Sequence, residues 1–135
     1  MGAGLSGLSC ALILEKYGIE PVIFEKRSEV EDRFINCEIL LNNLYHPIND
    51  GLIHLKDNYD IYLRPQHYIN KLFIHSENNQ AEIKGKIGYT NLRGRASSSF
   101  GKQLAGQLKK SKIKFNSNKN YQELKSKYSH IVLAT

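Results

Sequence analysis

The chain has 135 residues, of which 41% are hydrophobic and 24% charged, so it is long enough for one globular domain and too short for two of ordinary size. With no apolar run of about 18 residues, and no basic segment followed by an apolar stretch at its start, neither a transmembrane helix nor a secretory signal is predicted. Two cysteines cannot form a disulfide framework, and the net charge of +6 is moderate, so we expect a single domain in a reducing, cytoplasmic setting.

Residues 2–33 are predicted to form a loop, a helix and a strand. Apolar residues at helical spacing, such as Leu8 and Ala11, indicate a helix from Ser6 to about Tyr17. Gly18 is a typical residue for the end of that helix. The apolar run 22–24 is short and continuous, which is typical of a strand buried on both faces of a parallel sheet.

The loop before this helix has the pattern G-x-G-x-x-G, with glycine at positions 2, 4 and 7. In a dinucleotide-binding unit the first glycine permits the tight turn, and the second lets a pyrophosphate approach the backbone. The third allows close packing of helix on strand, and the helix N-terminus offers N–H groups to the phosphates. The pattern alone is weak, but the helix and strand that follow are in the right order.

Glu25 ends the predicted strand 18 residues after Gly7, close to the spacing of about 20 expected for an acid that binds the adenosine ribose. Its carboxylate can accept hydrogen bonds from the ribose hydroxyls. A 2′-phosphate would be repelled there, so NADP is disfavoured at this position.

Residues 34–94 are predicted to be an antiparallel meander inserted into the α/β domain. The segment 35–44 fits strand or helix equally, and residues 49–51 have the composition of a turn. Between residues 59 and 94 several short runs alternate apolar with polar residues, separated by polar turns at 76–80 and near Gly85 and Gly88.

Residues 95–135 return to α/β order. Residues 97–99 can cap a helix that runs to about Lys110, a strand is expected at 113–115 and a short helix at 121–128. The apolar run in 130–135 predicts a further buried strand. The predicted fold class is therefore α/β: a Rossmann-type parallel sheet built from the strands at 22, 113 and 131, with helices 6–17 and 98–110 packed on it.

The charge is distributed unevenly, with a net of −4 over residues 1–80 and +10 over residues 81–135. A basic half can bind nucleic acid or an anionic membrane, although a solvated lysine-rich surface is the simpler interpretation. The lysines are scattered singly, apart from Lys109, Lys110 and Lys112, and aromatic residues do not interleave with that group as a single-strand groove requires. We therefore predict no nucleic-acid partner.

Residues 2–33 resemble the N-terminal FAD-binding segment of the NAD(P)/FAD-dependent oxidoreductases, which include aromatic-hydroxylase-type monooxygenases and geranylgeranyl-reductase-like proteins. The segment 130–135 resembles a second motif of these proteins, a strand ending in Ala-Thr-Gly beside the flavin-binding strands. The resemblance implies an FAD-dependent oxidoreductase with FAD as cofactor and NAD(P)H as an electron donor. An arginine, Arg93 or Arg95, would lie near the FAD phosphates. The implied cofactor-binding residues are Gly2, Ala3, Gly4, Leu5, Ser6, Gly7, Glu25, Lys26, Arg95, Ala134 and Thr135.

In the resembling proteins an apolar strand leads into the glycines, and a substrate domain completes the flavin site. Here only Met1 precedes Gly2, so the sequence predicts a domain truncated at both ends and, in isolation, inactive. Two alternatives stay open: an NAD-dependent dehydrogenase with the same glycine pattern, and a non-catalytic nucleotide-binding protein.

Other chemistries are disfavoured. Cys10 and Cys37 are too far apart for a dithiol flavoprotein centre, and the five histidines show no metal-ligand spacing, so no metal site is predicted. A G-x-S-x-G nucleophile motif is also missing. A flavin would carry the redox chemistry itself, so no catalytic residue is named.

Overall fold

A computed structural model describes residues 2–42 and 50–134. The elements in chain order are α1 (Leu5–Lys16), β1 (Val22–Phe24), β2 (Asn36–Leu41), α2 (Gly51–Tyr59), β3 (His67–His75), β4 (Gln80–Arg93), α3 (Phe100–Gln107), β5 (Lys112–Lys114) and α4 (Tyr121–Lys125). The chain is thus a mixed α/β protein, as predicted, and none of the described helices is long and apolar enough to cross a bilayer.

A two-stranded parallel sheet lies beneath the helix that follows the glycine loop. β1 and β5 pair in parallel with Ile23 opposite Ile113, as expected from the two apolar runs. Helices α1 and α3 pack against each other, and Leu8, Ile23 and Leu104 belong to one buried cluster between them and the sheet. This cluster fixes the position of α1, and with it the glycine loop.

The predicted third strand at 130–135 is wrong for the described part of that segment. Residues 131–134 form no strand, and the side chains of Val132 and Leu133 are 53% and 61% exposed. A cavity of about 590 Å³ is bordered by α1, β1, residues 128–132 and Ala134. The segment borders this space without joining the β1-β5 sheet, so apolar composition alone did not provide the neighbouring strand in register that a buried strand needs.

The inserted region is antiparallel, as predicted, but its strand order is β2-β4-β3, so the long β4 lies in the centre. Gly85 and Gly88 were expected to mark turns, yet β4 runs through both. At Gly85 the φ angle is +140°, where the register between β3 and β4 shifts. A Cβ at Gly88 would overlap the carbonyl of Leu40, so this glycine permits close approach of β2.

Helix α2 begins at the last residue of the predicted turn 49–51, whose first residue lies outside the described ranges, and it interrupts the region predicted to be a meander. Asp50 is its N-cap, and the side chain accepts hydrogen bonds from the backbone N–H groups of Leu52 at 3.0 Å and Ile53 at 3.2 Å. The helix ends at Tyr59, and its C-cap Asp60 has a left-handed conformation with φ 56°. The cap signal and the turn signal use the same residue type, which explains the error. The uncertain segment 35–44 forms strand β2, and its last two residues lie outside the described ranges.

The remaining helices match their predictions apart from their ends. Ser99 caps α3 by accepting a hydrogen bond from the Lys102 N–H, but α3 ends at Gln107 and not near Lys110. The next residues turn so that their N–H groups meet the carboxylate of Glu15 on α1. This contact stops the helix early and ties the α3–β5 connection to α1.

Candidate nucleotide-binding site

Two of the three motif glycines are required by the fold itself. Gly2 has φ +102°, which side chains rarely adopt, and its N–H donates to the carbonyl of Phe24 at 2.8 Å. At Gly7 an added Cβ would overlap the Gly2 carbonyl and would lie 3.5 Å from Cβ of Ala134. These two positions therefore hold the loop against β1 and against the 130–134 segment.

Gly4 is different, because nothing in the described structure requires it to be glycine. Its φ of −82° is ordinary, and an added Cβ would meet no atom within 4 Å. Gly4 is the N-cap of α1, where a serine or aspartate would stabilise the helix by a few tenths of a kcal/mol relative to glycine, yet the cap has no side-chain hydrogen bond. The bare N-cap leaves the first turn of α1 open towards the neighbouring cavity.

The Glu25 carboxylate, at the end of β1, is hydrogen-bonded to the backbone of the glycine loop. Its Oε2 accepts a hydrogen bond from the Ala3 N–H at 2.7 Å, and its Oε1 accepts one from the Arg27 N–H at 2.9 Å. A carboxylate oxygen can accept a second hydrogen bond, so both oxygens retain acceptor capacity. The acid therefore fixes the loop and can still accept from a hydroxyl in the cavity.

The loop and Glu25 border one cavity of about 560 Å³. Its lining includes residues 2–7, Glu25, Lys26 and Ala134, so the structure brings most of the predicted cofactor-binding residues together. Arg95 does not line this cavity, and Thr135 lies outside the described residues. The far wall carries both signs of charge: Arg27, Glu29, Glu31, Asp32, Arg33 and Arg93.

Residues 1–30 match the family model described as an NAD(P)-binding Rossmann-like domain. The N-terminal segment is a Rossmann-type nucleotide-binding unit. No match was found among curated proteins or among solved structures. The matched residues of this unit contain the glycine loop, α1, β1 and Glu25, which are the elements that build the near wall of the cavity.

Arg93 and Arg95, the two arginines expected near the phosphates, both form ion pairs with acidic side chains. Arg93 forms a bidentate ion pair with Glu31, at 2.8 Å from Nη2 to Oε1 and 3.0 Å from Nε to Oε2, and also contacts Glu38 at 3.3 Å. Arg95 donates to Asp32, with 2.9 Å from Nε to Oδ1. Arg93 still lines the cavity, so its role towards a phosphate stays a prediction for the liganded protein.

Glu31 is the site residue that sequence reasoning missed. Its side chain is 2% exposed, its φ is +59°, and Oε2 accepts from the Gly94 N–H at 2.7 Å. Burial alone would raise the pKa of Glu31, but hydrogen bonds from Arg93 and Gly94 lower it. A Cβ at Gly101 would overlap this side chain, so the segments at 93–94 and at 101 are both shaped around it. A partner 62 residues away leaves no local sequence signal.

The two cysteines and the histidines of the described ranges form no common site. Cys10 is half-buried in α1 and Cys37 is exposed, and both are free thiols. Within residues 2–42 and 50–134, no group of three or more His, Cys, Asp or Glu side chains is arranged to hold a metal ion.

Proposed function

We propose that this chain binds the ADP half of FAD and forms part of an FAD-dependent oxidoreductase. The observation that carries the proposal is Gly4, a glycine that the fold does not need and that opens the first turn of α1 to a cavity. A diphosphate in that position would accept hydrogen bonds from the first-turn N–H groups and would benefit from the positive end of the helix dipole.

Glu25 supports an adenosine at the same cavity. Its free lone pairs lie at the end of β1, and ribose hydroxyls are donors that could reach them. The fixed negative charge disfavours a 2′-phosphate, so we expect FAD or NAD over NADP. When bound, a flavin would supply the hydride and electron transfer, and the residues named here would bind and orient its ADP end.

Ala134 favours FAD over NAD. Its carbonyl lies 3.3 Å from the Cβ position of Gly2, so the segment that resembles the flavoprotein Ala-Thr-Gly motif borders the glycine loop. That neighbourhood is what the resemblance to FAD-dependent oxidoreductases implies. NAD(P)H is the electron donor we expect for the reaction.

The test is a substitution at Gly4 that should affect stability and nucleotide binding in opposite directions. Gly4→Ser should keep or raise the melting temperature, because serine caps a helix better than glycine, but it should weaken ADP binding by at least about tenfold. Gly106→Ala is the control, since an added Cβ there also meets nothing within 4 Å and the site is on α3. Thermal denaturation measures the melting temperature of each variant, and isothermal titration with ADP measures its affinity. Unchanged ADP affinity in Gly4→Ser would refute the proposal.

Cofactor choice is tested by titrating FAD, FMN and NAD into the same protein. FMN has no ADP group, so it should not bind at this site, whereas FAD should bind more tightly than NAD. An NAD-dependent dehydrogenase is the second candidate, because the family model matched by residues 1–30 is described as NAD(P)-binding. NAD binding that is tighter than FAD binding would favour that candidate.

A further inference from the structure

One short segment carries the entire net charge of the protein. Residues 109–128, named the basic face below, contain seven lysines and one acidic residue, for a net charge of +6. The rest of the chain holds twelve basic and twelve acidic residues, which cancel. The lysines are Lys109, Lys110, Lys112, Lys114, Lys119, Lys125 and Lys127.

The fold places two of these lysines, Lys112 and Lys114, on one surface beside a pair of aromatic rings. In β5, Ile113 packs towards the core, so Lys112 and Lys114 on either side of it point the other way. The ammonium of Lys114 lies 5.6 Å from the centroid of the Phe24 ring, and that ring makes an edge contact with Tyr128 at 5.9 Å. Strand β5 and Tyr128, which follows α4, therefore share this surface.

Few acids compensate the basic face. Lys110 is 3.8 Å from Glu20 and Lys119 is 2.9 Å from Glu123, and both pairs are exposed. Glu15 accepts from the backbone N–H groups of residues 109–111, and so it does not pair with the lysine ammonium groups. Within the described ranges, the other five lysines have no carboxylate oxygen within 4.0 Å, and all seven are exposed.

Aromatic side chains stand among the lysines. Phe115, Tyr121 and Tyr128 are 38%, 47% and 37% exposed. Half-exposed tyrosine and phenylalanine rings next to lysines fit the boundary between lipid headgroups and acyl chains, where an apolar ring and a charged tip are both accommodated. The basic face contains no arginine, the residue that binds single phosphates in a bidentate fork.

We propose that the basic face binds the surface of an anionic lipid bilayer. This role is separate from the nucleotide cavity and does not depend on it. Each lysine ammonium is a compact charge on a flexible side chain that is attracted to a negatively charged surface. Each lysine close to the bilayer raises the partitioning of the protein onto the vesicles about fivefold. Nucleic acid fits less well, because the Tyr128 ring packs edge to face against Phe24 and is not a free platform for a stacked base, and because the face has no arginine to hold single phosphates.

The test uses the 135-residue chain and co-sedimentation with vesicles. Vesicles of phosphatidylcholine with about 30% phosphatidylserine should bind the protein at about 0.05 M salt and release most of it at about 0.5 M salt, because the attraction is screened. Vesicles of phosphatidylcholine alone should bind at least about tenfold less. Equal binding to both kinds of vesicle, or none to either, would overturn the proposal.

Two charge-matched variants locate the binding surface. The face variant is K109Q/K110Q/K112Q/K114Q, and the control variant is K56Q/K71Q/K84Q/K86Q. Both lower the net charge by four, so a difference between them reflects position and not total charge. The face variant should lose at least about tenfold in partitioning and the control less than about threefold.

A second face variant, K119Q/K125Q/K127Q, changes the lysines in and around α4 and should also lose binding. It replaces the first variant in the test if the first variant fails to fold. Equal losses in face and control variants would show a non-specific effect of net charge and refute the assignment. Tighter binding to a single-stranded oligonucleotide than to the phosphatidylserine vesicles, at the same salt concentration, would show that the partner is nucleic acid instead.

Discussion

Replacing Glu15 by glutamine should destabilise the protein in a manner that depends on pH. The carboxylate accepts from the backbone N–H groups of Lys109 at 3.0 Å and Lys110 at 2.9 Å, and from that of Ser111. It thus joins the last turn of α1 to the connection between α3 and β5. An amide at this position keeps one acceptor oxygen but loses the charge and the second acceptor.

The magnitude follows from the pKa. Burial alone would raise the pKa of Glu15, but the adjacent Ser111 hydroxyl and the three N–H groups lower it from 4.5 to about 2. The Ser111 oxygen completes no hydrogen bond of good geometry, so we assign most of the lowering to the N–H donors. The full shift corresponds to about 3 kcal/mol, and solvent screening of this partly exposed group reduces the expected contribution to about 1–2 kcal/mol.

The pH dependence has a definite sign. Because the folded-state pKa lies below the unfolded value, the stabilisation is complete above pH 4.5 and is lost as the pH falls towards about 2. Urea unfolding at neutral pH should show Glu15→Gln less stable by about 1–2 kcal/mol, and the difference from wild type should shrink in acid. Glu20→Gln, at a carboxylate whose partner is 3.8 Å away on the surface, should change stability by less than about 0.5 kcal/mol. A Glu15→Gln deficit that is the same at every pH would refute the electrostatic argument.

Two further predictions concern the cavity. Glu25→Gln should weaken ADP and FAD binding by about 1–3 kcal/mol in isothermal titration, the range for losing a hydrogen bond to a charged group, and unchanged affinity would mean that the carboxylate is not the ribose ligand. Glu31→Gln should lower the free energy of unfolding by about 3 kcal/mol in urea, because it leaves the bidentate partner Arg93 poorly compensated at a buried position. Asp32→Asn removes the charged partner of the exposed Arg95 and should lower the free energy of unfolding by less than about 1 kcal/mol. Equal losses of stability for Glu31→Gln and Asp32→Asn would contradict the role of burial.

Local sequence patterns predicted the elements whose cause is local. The glycine spacing, the helix that follows it and the apolar run 22–24 each reflect contacts within a few residues, and each is present as expected. Ser99 as the cap of α3 belongs to the same class. The family match over residues 1–30 covers the part of the chain where these short-range signals are densest.

The errors arose where distant partners decide the structure. An apolar run at 131–134 satisfies the pattern of a buried strand, but a strand also needs a neighbour in register, and this segment borders a cavity without joining the β1-β5 sheet. Gly88 indicates a turn by composition, but glycine is needed there because the backbone of Leu40 in another strand approaches too closely for a side chain. The pairing of Glu31 with Arg93 likewise depends on how two sheets meet, which no window of sequence reports.

The ion pair between Glu31 and Arg93 also bears on the order in which the protein folds. The glycine loop and Glu25 can form from the first thirty residues, but the far wall of the cavity is completed by Arg93 at the end of β4, 62 residues after its partner Glu31. Closing so large a loop is slow compared with forming α1, so the complete cavity is a late product of folding. A nucleotide that needs both walls would bind only the finished molecule, and at a concentration of 100 times its Kd it would stabilise both sheets together by about 2.7 kcal/mol. Nucleotide affinity would therefore report whether the two halves of this chain have docked.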